Sequence, residues 1–249
     1  MMNTQLADLL SRVKIALFAG LIALAIIPVA YASLSDSDKS EIEAFIIDYI
    51  SKNPEFIRDA LDQLAVREAA QQQQLALSLV RMDEQDPVMG NAEGDITIYE
   101  FSDYNCGYCK RLFTTLQSIL EEDGNIRLVI KEFPILAESS YIAARTALAL
   151  KKQGKYAPFH IGLMEQKGRL DNQLITRLAS KIGADMSQLA LDAQSPEVIA
   201  LLQANQRVAQ ALEIQGTPAL IIGDTIVPGA ISKAEILALI NQQRDAKTN

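Results

Sequence analysis

The two cysteines of this chain, Cys106 and Cys109, are spaced C-x-x-C at the point where a strand-like run gives way to a helix-like one. Upstream, Asp95-Ile-Thr-Ile-Tyr-Glu-Phe101 is rich in β-branched and aromatic residues, the composition of a strand. Downstream, Leu112, Phe113, Leu116, Ile119 and Leu120 recur at a helical period between Lys110 and Glu122. The handover puts Cys106 at or just before a helix's first turn, where unpaired backbone N–H groups and the positive end of the helix dipole stabilise an anion. A thiolate is such an anion, so the Cys106 pKa is expected to drop from about 8.5 to roughly 3.5–7.5. Cys109, one turn on, shares a helix face with Cys106 and is within reach of it. The spacing therefore describes a redox thiol pair. Between the cysteines, Gly107 adds no side chain, and Tyr108 brings a ring that carries no positive charge near neutral pH.

C-x-x-C is also half of a metal site. Structural zinc needs four ligands, usually a second pair of Cys or His, and this chain offers one His, at position 160, and no further Cys. Copper(I) held by the two thiols alone stays open as a side activity. His160, within Pro158-Phe-His-Ile161, reads as a structural helix residue, because no serine or cysteine motif surrounds it for hydrolytic chemistry. Exchange between sulfurs needs no cofactor, and none is expected.

Two more stretches bear on the pair. Glu100 ends the apolar strand six residues before Cys106, so its carboxylate is expected to be buried nearby with a raised pKa. Lys131, in the next expected strand, is its candidate partner. The two either move a proton when Cys109 attacks a mixed disulfide or form only a structural ion pair. Gly216-Thr217-Pro218-Ala219 precedes a short strand. Pro218 is either a plain strand-entry residue or the second half of a cis Thr217–Pro218 bond that exposes backbone groups to an extended substrate.

The chain has 249 residues. Arg12 and Lys14 precede an apolar run from Ile15 to Ala30, and Ala30-Tyr31-Ala32 ends it, the order of a secretory leader with an A-x-A site. Residues 1–32 are thus expected to be a signal peptide or an uncleaved anchor that sends the rest into a periplasm or bacterial envelope, where a thiol pair cycles as a disulfide. A net charge of −8 argues against nucleic acid as a partner.

Residues 33–85 read as a helical arm. Asp38 with Glu41 offers a capping box ahead of Ile42, Phe45, Ile46, Tyr49 and Ile50. Asn53-Pro54 restarts the pattern for a second helix to about Met82. Its apolar seam fades into Gln71 to Gln74, so the arm is either an oligomerisation segment, giving a dimer or trimer, or a hairpin that folds back. Residues 86–249 form the second domain. After a break at 86–94 comes a βαβ unit ending at Phe133, and a helical block spans about 137–212. The hairpin Ala219–Ile222, Gly223-Asp224, Thr225–Val227 follows, then a last helix capped by Ser232 that frays from Asp245.

Taken together, Glu-Phe-x-Asp-Tyr-x-Cys-x-Tyr-Cys-Lys at 100–110, the helical block and Gly-Thr-Pro at 216–218 resemble the DsbA-like thiol-disulfide oxidoreductases of the bacterial envelope over about residues 86–244. Tyr49, Asn53-Pro54 and Asp86-Pro-Val-Met-Gly90 resemble the ScsC-like branch, which carries a helical oligomerisation region. The resemblance implies an α/β thioredoxin fold with an inserted helical domain, preceded by the helical arm. It also implies Cys106 as nucleophile, Cys109 as resolving thiol and Pro218 in cis. Implied substrates are unfolded or misoxidised exported proteins, with a membrane protein as redox partner. The best-known oxidase of the family has Pro-His between its cysteines where this chain has Gly107-Tyr108. The missing histidine implies a less stabilised thiolate, a mid-range potential and readier isomerase behaviour. A peptide-binding holdase is the alternative from another class.

Overall fold

The computed structural model describes residues 35–82 and 84–248, so the expected leader lies outside the described residues. The chain divides into two compact units, residues 1–64 and 65–249. In the first, α1 (Asp36–Lys52) begins one turn earlier than the sequence suggests. Its capping box joins Ser35 and Asp38, rather than Asp38 and Glu41, because the Ser35 hydroxyl reaches the Asp38 N–H while the Asp38 carboxylate reaches back. Asn53 closes α1, its amide donating to the Tyr49 carbonyl, and Tyr49 meets Phe56 edge-on across the break. No residue of α1 is buried. Ile42, Phe45, Ile46, Ile47, Phe56, Ile57 and Leu61 all stand exposed.

The helix α2 spans Glu55–Arg81. Past the glutamine run its character changes, and Ala76, Leu77 and Val80 are buried. They pack with Tyr99, Phe101, Val129, Phe133, Leu212 and Ile221 in one of two hydrophobic clusters. Arg81 adds an ion pair to Asp224 at 2.5 Å.

The sheet of the second unit has five strands in the order β1-β3-β2-β4-β5, with β1 at Val88–Gly90, β2 at Ile96–Ser102, β3 at Ile126–Glu132, β4 at Ala219–Ile222 and β5 at Thr225–Pro228. β2 and β3 are parallel, and every other pairing is antiparallel. The sequence carries no hint of β1, which lies in the helix-breaking run and borders β3. Its three residues are too few to show a period of two. Gly90 adopts φ +72 and stands where a Cβ would come within 2.6 Å of the Ile126 carbonyl, so only glycine fits there.

Between β2 and β3 runs α3 (Gly107–Glu122), whose buried stripe of Cys109, Leu112, Phe113, Leu116 and Ile119 covers the other sheet face. The inserted block comprises α4 (Glu138–Lys151), α5 (Tyr156–Glu165), α6 (Asn172–Lys181), α7 (Met186–Asp192) and α8 (Pro196–Ala211). α4 is its central helix and touches all four others. Small residues at Ala143, Ala144 and Ala147 let those neighbours approach closely. The last helix, α9 (Lys233–Thr248), does not fray at Asp245 as expected. Arg244 grips Asp95 and Asp123, and Lys247 bonds the Asp95 carbonyl, so its end is tied to the sheet and to the turn after α3.

Candidate active site

Cys106 is the N-cap of α3, in extended backbone at φ −80 and ψ 113, with its sulfur 3.2 Å from the Cys109 N–H that donates to it. One side-chain sulfur thus does the work usually done by a Ser or Asp oxygen, satisfying an orphan donor of the first turn. The two thiols are reduced and unbonded. The Cys106 pKa is lowered to about 5, chiefly because the Cys109 thiol beside it stabilises the thiolate. Partial burial opposes this, while Thr217 and the backbone N–H groups of Cys109 and Tyr108 add to it. Cys109 moves the other way. Burial pushes its thiol far up, and the neighbouring Cys106 and the charge of Glu100 push further. The pair is therefore polarised into one ready thiolate at the helix N-terminus, largely buried, and one protonated, fully buried thiol a turn further on.

Opposite α3, the cis Thr217–Pro218 peptide brings the Thr217 carbonyl to 3.2 Å from the Cys106 sulfur, close enough to accept its proton when the thiol is protonated. The Pro218 carbonyl is taken by the N–H of Gly229. Beside these residues lies a cavity of 520 Å3 lined by Leu212, Ile214, Thr217, Pro218 and Ile226 among others. Gly107 and Tyr108 are exposed above the pair.

Glu100 is buried as expected, and neither of its carboxylate oxygens has a hydrogen-bond partner among the described residues. Burial raises its pKa to about 7, against the pull of the nearby Ser102 hydroxyl and with a further push from the Cys106 charge. It sits on the sheet face that α3 covers, where its own charge in turn helps keep the Cys109 thiol protonated.

Lys131 does not stand beside it. In-register parallel pairing sets Glu100 opposite Ile130 and Phe101 opposite Lys131. Side chains alternate faces along a strand, so Lys131 points with Phe101 to the far side of the sheet. There its ammonium meets Asp86 at 2.5 Å, both groups buried, and Asp86 also accepts from the Asn205 amide. The expectation of a Glu100–Lys131 pair is overturned by the period of two.

Sequence reasoning missed two features of the site. The Asp103 carboxylate collects the N–H groups of Asn105, Ile135 and Leu136 and the Ser140 hydroxyl, fastening the turn before Cys106 to the start of the inserted block. The other is a buried cluster around Glu132, which accepts from Tyr104 at 2.6 Å and from Tyr156 at 2.7 Å. Burial raises the Glu132 pKa to about 8. Both tyrosine oxygens also lie against Nδ1 of His160, at 2.9 and 3.2 Å. With both tyrosine protons directed to Glu132, Nδ1 carries the hydrogen and donates. Burial lowers the His160 pKa to about 3, so the ring is neutral. Polar residues at alternate positions of an otherwise apolar strand pair, Glu100 and Ser102 facing Ile130 and Glu132, were the available signal for this cluster.

Comparison with known proteins agrees with the fold. A family model described as Thioredoxin matches residues 82–242, and one described as Copper resistance protein ScsC N-terminal domain matches residues 38–71. A thioredoxin-like oxidoreductase from Silicibacter pomeroyi DSS-3 is 40% identical, with 67% of this chain and 96% of that chain covered at a TM-score of 0.65. A linker-deletion mutant of Proteus mirabilis ScsC is 29% identical, with 87% of this chain and 100% of that chain covered at a TM-score of 0.64. Curated relatives include Na(+)/H(+) antiporters of the NhaA type, and the chain spans about a quarter of the length of those from Herminiimonas arsenicoxydans and Mycobacterium sp. (strain KMS). The match to the one from Herminiimonas arsenicoxydans is 22% identical over 160 residues, 64% of this chain and 26% of that protein.

Proposed function

The chain belongs to the thioredoxin family and has the thioredoxin-like fold with an ScsC-type helical region before it, and from that premise we propose that it is an exported thiol-disulfide oxidoreductase acting on protein cysteines. The observation that carries the reading is the polarised pair: a thiolate at Cys106, lowered to about 5, over a buried thiol at Cys109. In the reductive half-reaction the Cys106 thiolate attacks one sulfur of a substrate disulfide, and the other substrate sulfur leaves as a thiolate. Cys109 then loses its proton and attacks Cys106, expelling the second substrate thiolate and closing the Cys106–Cys109 disulfide. Two electrons pass to the substrate. Run backwards, the same steps oxidise a substrate dithiol. When the substrate's own thiol resolves the mixed disulfide, the outcome is isomerisation with no net redox change.

Glu100, the buried carboxyl on the Cys109 side, is the proton acceptor for the resolving step. The cis Thr217–Pro218 edge and the adjacent cavity hold the substrate chain in extended form. Gly107-Tyr108, in place of a dipeptide with histidine, favours isomerisation over oxidation, with a membrane reductant keeping the pair reduced. The exposed apolar residues of α1 and the first turns of α2 support self-association into a dimer or trimer. The leader Arg12 to Ala32 supports a periplasmic address.

The test is refolding of a scrambled-disulfide protein by the reduced full chain, by Cys106→Ala and by Cys109→Ala. Recovery of native activity with the parent, none with Cys106→Ala and a trapped mixed disulfide with Cys109→Ala are the expected results. Undiminished refolding by Cys106→Ala rules the reading out. Light scattering on the parent and on Phe45→Glu with Ile46→Glu tests self-association, which the charges abolish.

A further inference from the structure

The chain carries a net charge of −8, yet the residues around the thiol pair are basic. Arg111 lays its guanidinium 4.1 Å from the centre of the Tyr108 ring, and Tyr108 is 61% exposed. Such stacking holds a cation without discharging it. Arg111 is itself exposed and makes no hydrogen bond or ion pair among the described residues. Gly107 leaves the approach open: apart from its chain neighbours and the helix backbone, the one atom among the described residues within 4 Å of the place of a Cβ is Nη1 of Arg111 at 4.0 Å.

A second basic element joins it. The loop 166–170 is pinned to both ends of the C-x-x-C stretch. Asn105, just before Cys106, accepts from the Leu170 N–H at 2.9 Å, and Lys110, just after Cys109, donates to the carbonyls of Gln166 at 2.6 Å and Gly168 at 3.4 Å. Lys110 is thereby engaged with the backbone. Lys167 and Arg169 of the same loop are exposed and without ion pairs among the described residues. Of the acidic residues nearby, Asp103 is buried under its own donors, while Asp171, which caps α6 through the Leu174 N–H, Glu138 at the start of α4, Glu165 at the end of α5 and Glu213 in the wall of the cavity beside Pro218 are exposed and offset the positive charge in part.

We propose that Arg111, presented on Tyr108, together with Lys167 and Arg169, is a cationic collar that selects polypeptide substrates with acidic residues beside the reacting cysteine. His160 adds no charge at this edge, being buried and neutral. A collar of one sign, set in a surface of the other, draws the matching substrate segment to the thiolate and turns away cationic ones. The proposal rests on the exchange chemistry above. In each encounter the Cys106 thiolate attacks one sulfur of the substrate, the other leaves as a thiolate, Cys109 resolves, and two electrons pass to the substrate.

The experiment uses the reduced full chain and three peptide disulfides that differ only in residues flanking the cysteine, Asp, Ser or Lys. Flanking charge also alters the leaving thiol and the approach of any thiolate, so each rate is divided by that of dithiothreitol, which attacks as a small thiolate with no collar, on the same peptide. At low salt the normalised rate for the Asp peptide exceeds that for the Lys peptide by about tenfold or more, and the ratio falls toward one in about 1 M salt. Arg111→Glu inverts the preference, Arg111→Lys keeps it, and Lys167→Gln with Arg169→Gln reduces it. A ratio within about twofold of one, no response to salt, or an Asp preference that survives Arg111→Glu overturns the collar. Failure to react with the Ser peptide overturns the exchange reading itself.

Discussion

The backbone N–H of Cys109 points at the sulfur of Cys106 from 3.2 Å, so the helix that carries the pair is capped by the sulfur of its first cysteine. Ionising Cys106 strengthens that cap and protonating it weakens it.

The thiolate should therefore titrate as a single early step. Ultraviolet absorbance of the reduced protein, or its alkylation rate by iodoacetamide, is expected to rise with a midpoint near pH 5, with Cys106→Ser removing the step. Since the folded value lies below that of an unfolded thiol, this group adds stability in full above about pH 8.5 and loses it as the pH falls through 5. A midpoint above about 8 contradicts the arrangement.

Glu100 acts with the opposite sign. Its folded pKa, about 7, lies above the ordinary 4.5, so the folded protein binds more protons and stability falls as the pH rises from 4.5 through 7. In the reduced protein the loss is on the order of 3 kcal/mol, and it is smaller in the Cys106–Cys109 disulfide form, where the Cys106 charge is gone and denaturant midpoints read it free of thiol titration. Glu100→Gln removes the Glu100 share of that slope and leaves the share of Glu132, whose pKa is raised to about 8. In the mixed disulfide, where the Cys106 charge is gone, release by Cys109 is expected to rise with pH through a midpoint somewhat below 7, and Glu100→Gln slows it roughly a hundredfold. An unchanged release rate removes Glu100 from the proton path.

Asp86 and Lys131 test the other face of the sheet. Asp86→Ala leaves the buried Lys131 ammonium without its carboxylate and is expected to destabilise the fold by about 3–5 kcal/mol. At temperatures where the variant stays folded, its exchange rate remains within about twofold of the parent, since the pair lies across the sheet from the thiols. A rate loss much larger than that would place Lys131 back in the chemistry.

Leu77 reports whether the end of α2 belongs to the second unit. It is buried against that unit's second cluster, so Leu77→Ala is expected to cost about 2–5 kcal/mol in unfolding experiments. The same change at exposed Leu61 has little effect on that transition.

Much of the site was legible because its chemistry is local. The C-x-x-C spacing, the strand before it and the helical period after it lie within about 30 residues, and local sequence suffices to put a cysteine at a helix N-terminus. Glu100 was legible as a charged residue ending an apolar strand. Its partner was not, since Lys131 depended on strand register, and one step of register exchanges the two faces of a sheet. The Glu132 cluster was missed for a related reason: it gathers Tyr104, Tyr156 and His160 from a loop and a helix far from it in the chain, and no pattern within one element records such a meeting.

By itself, the sequence determined the order of elements other than β1 and the place of Cys106 at a helix N-terminus with Cys109 one turn on, because helix capping and apolar periodicity act over one or two turns. Only the tertiary structure decided which polar groups face the sulfurs. It turned Lys131 away to Asp86, left Glu100 unpartnered beneath Cys109, set the Thr217 carbonyl across from Cys106 and locked Lys110 to the 166–170 loop while leaving Arg111 free. Those choices follow from strand register and from contacts between segments far apart in the chain, where the desolvation of a charge depends on packing that no local stretch of chain contains.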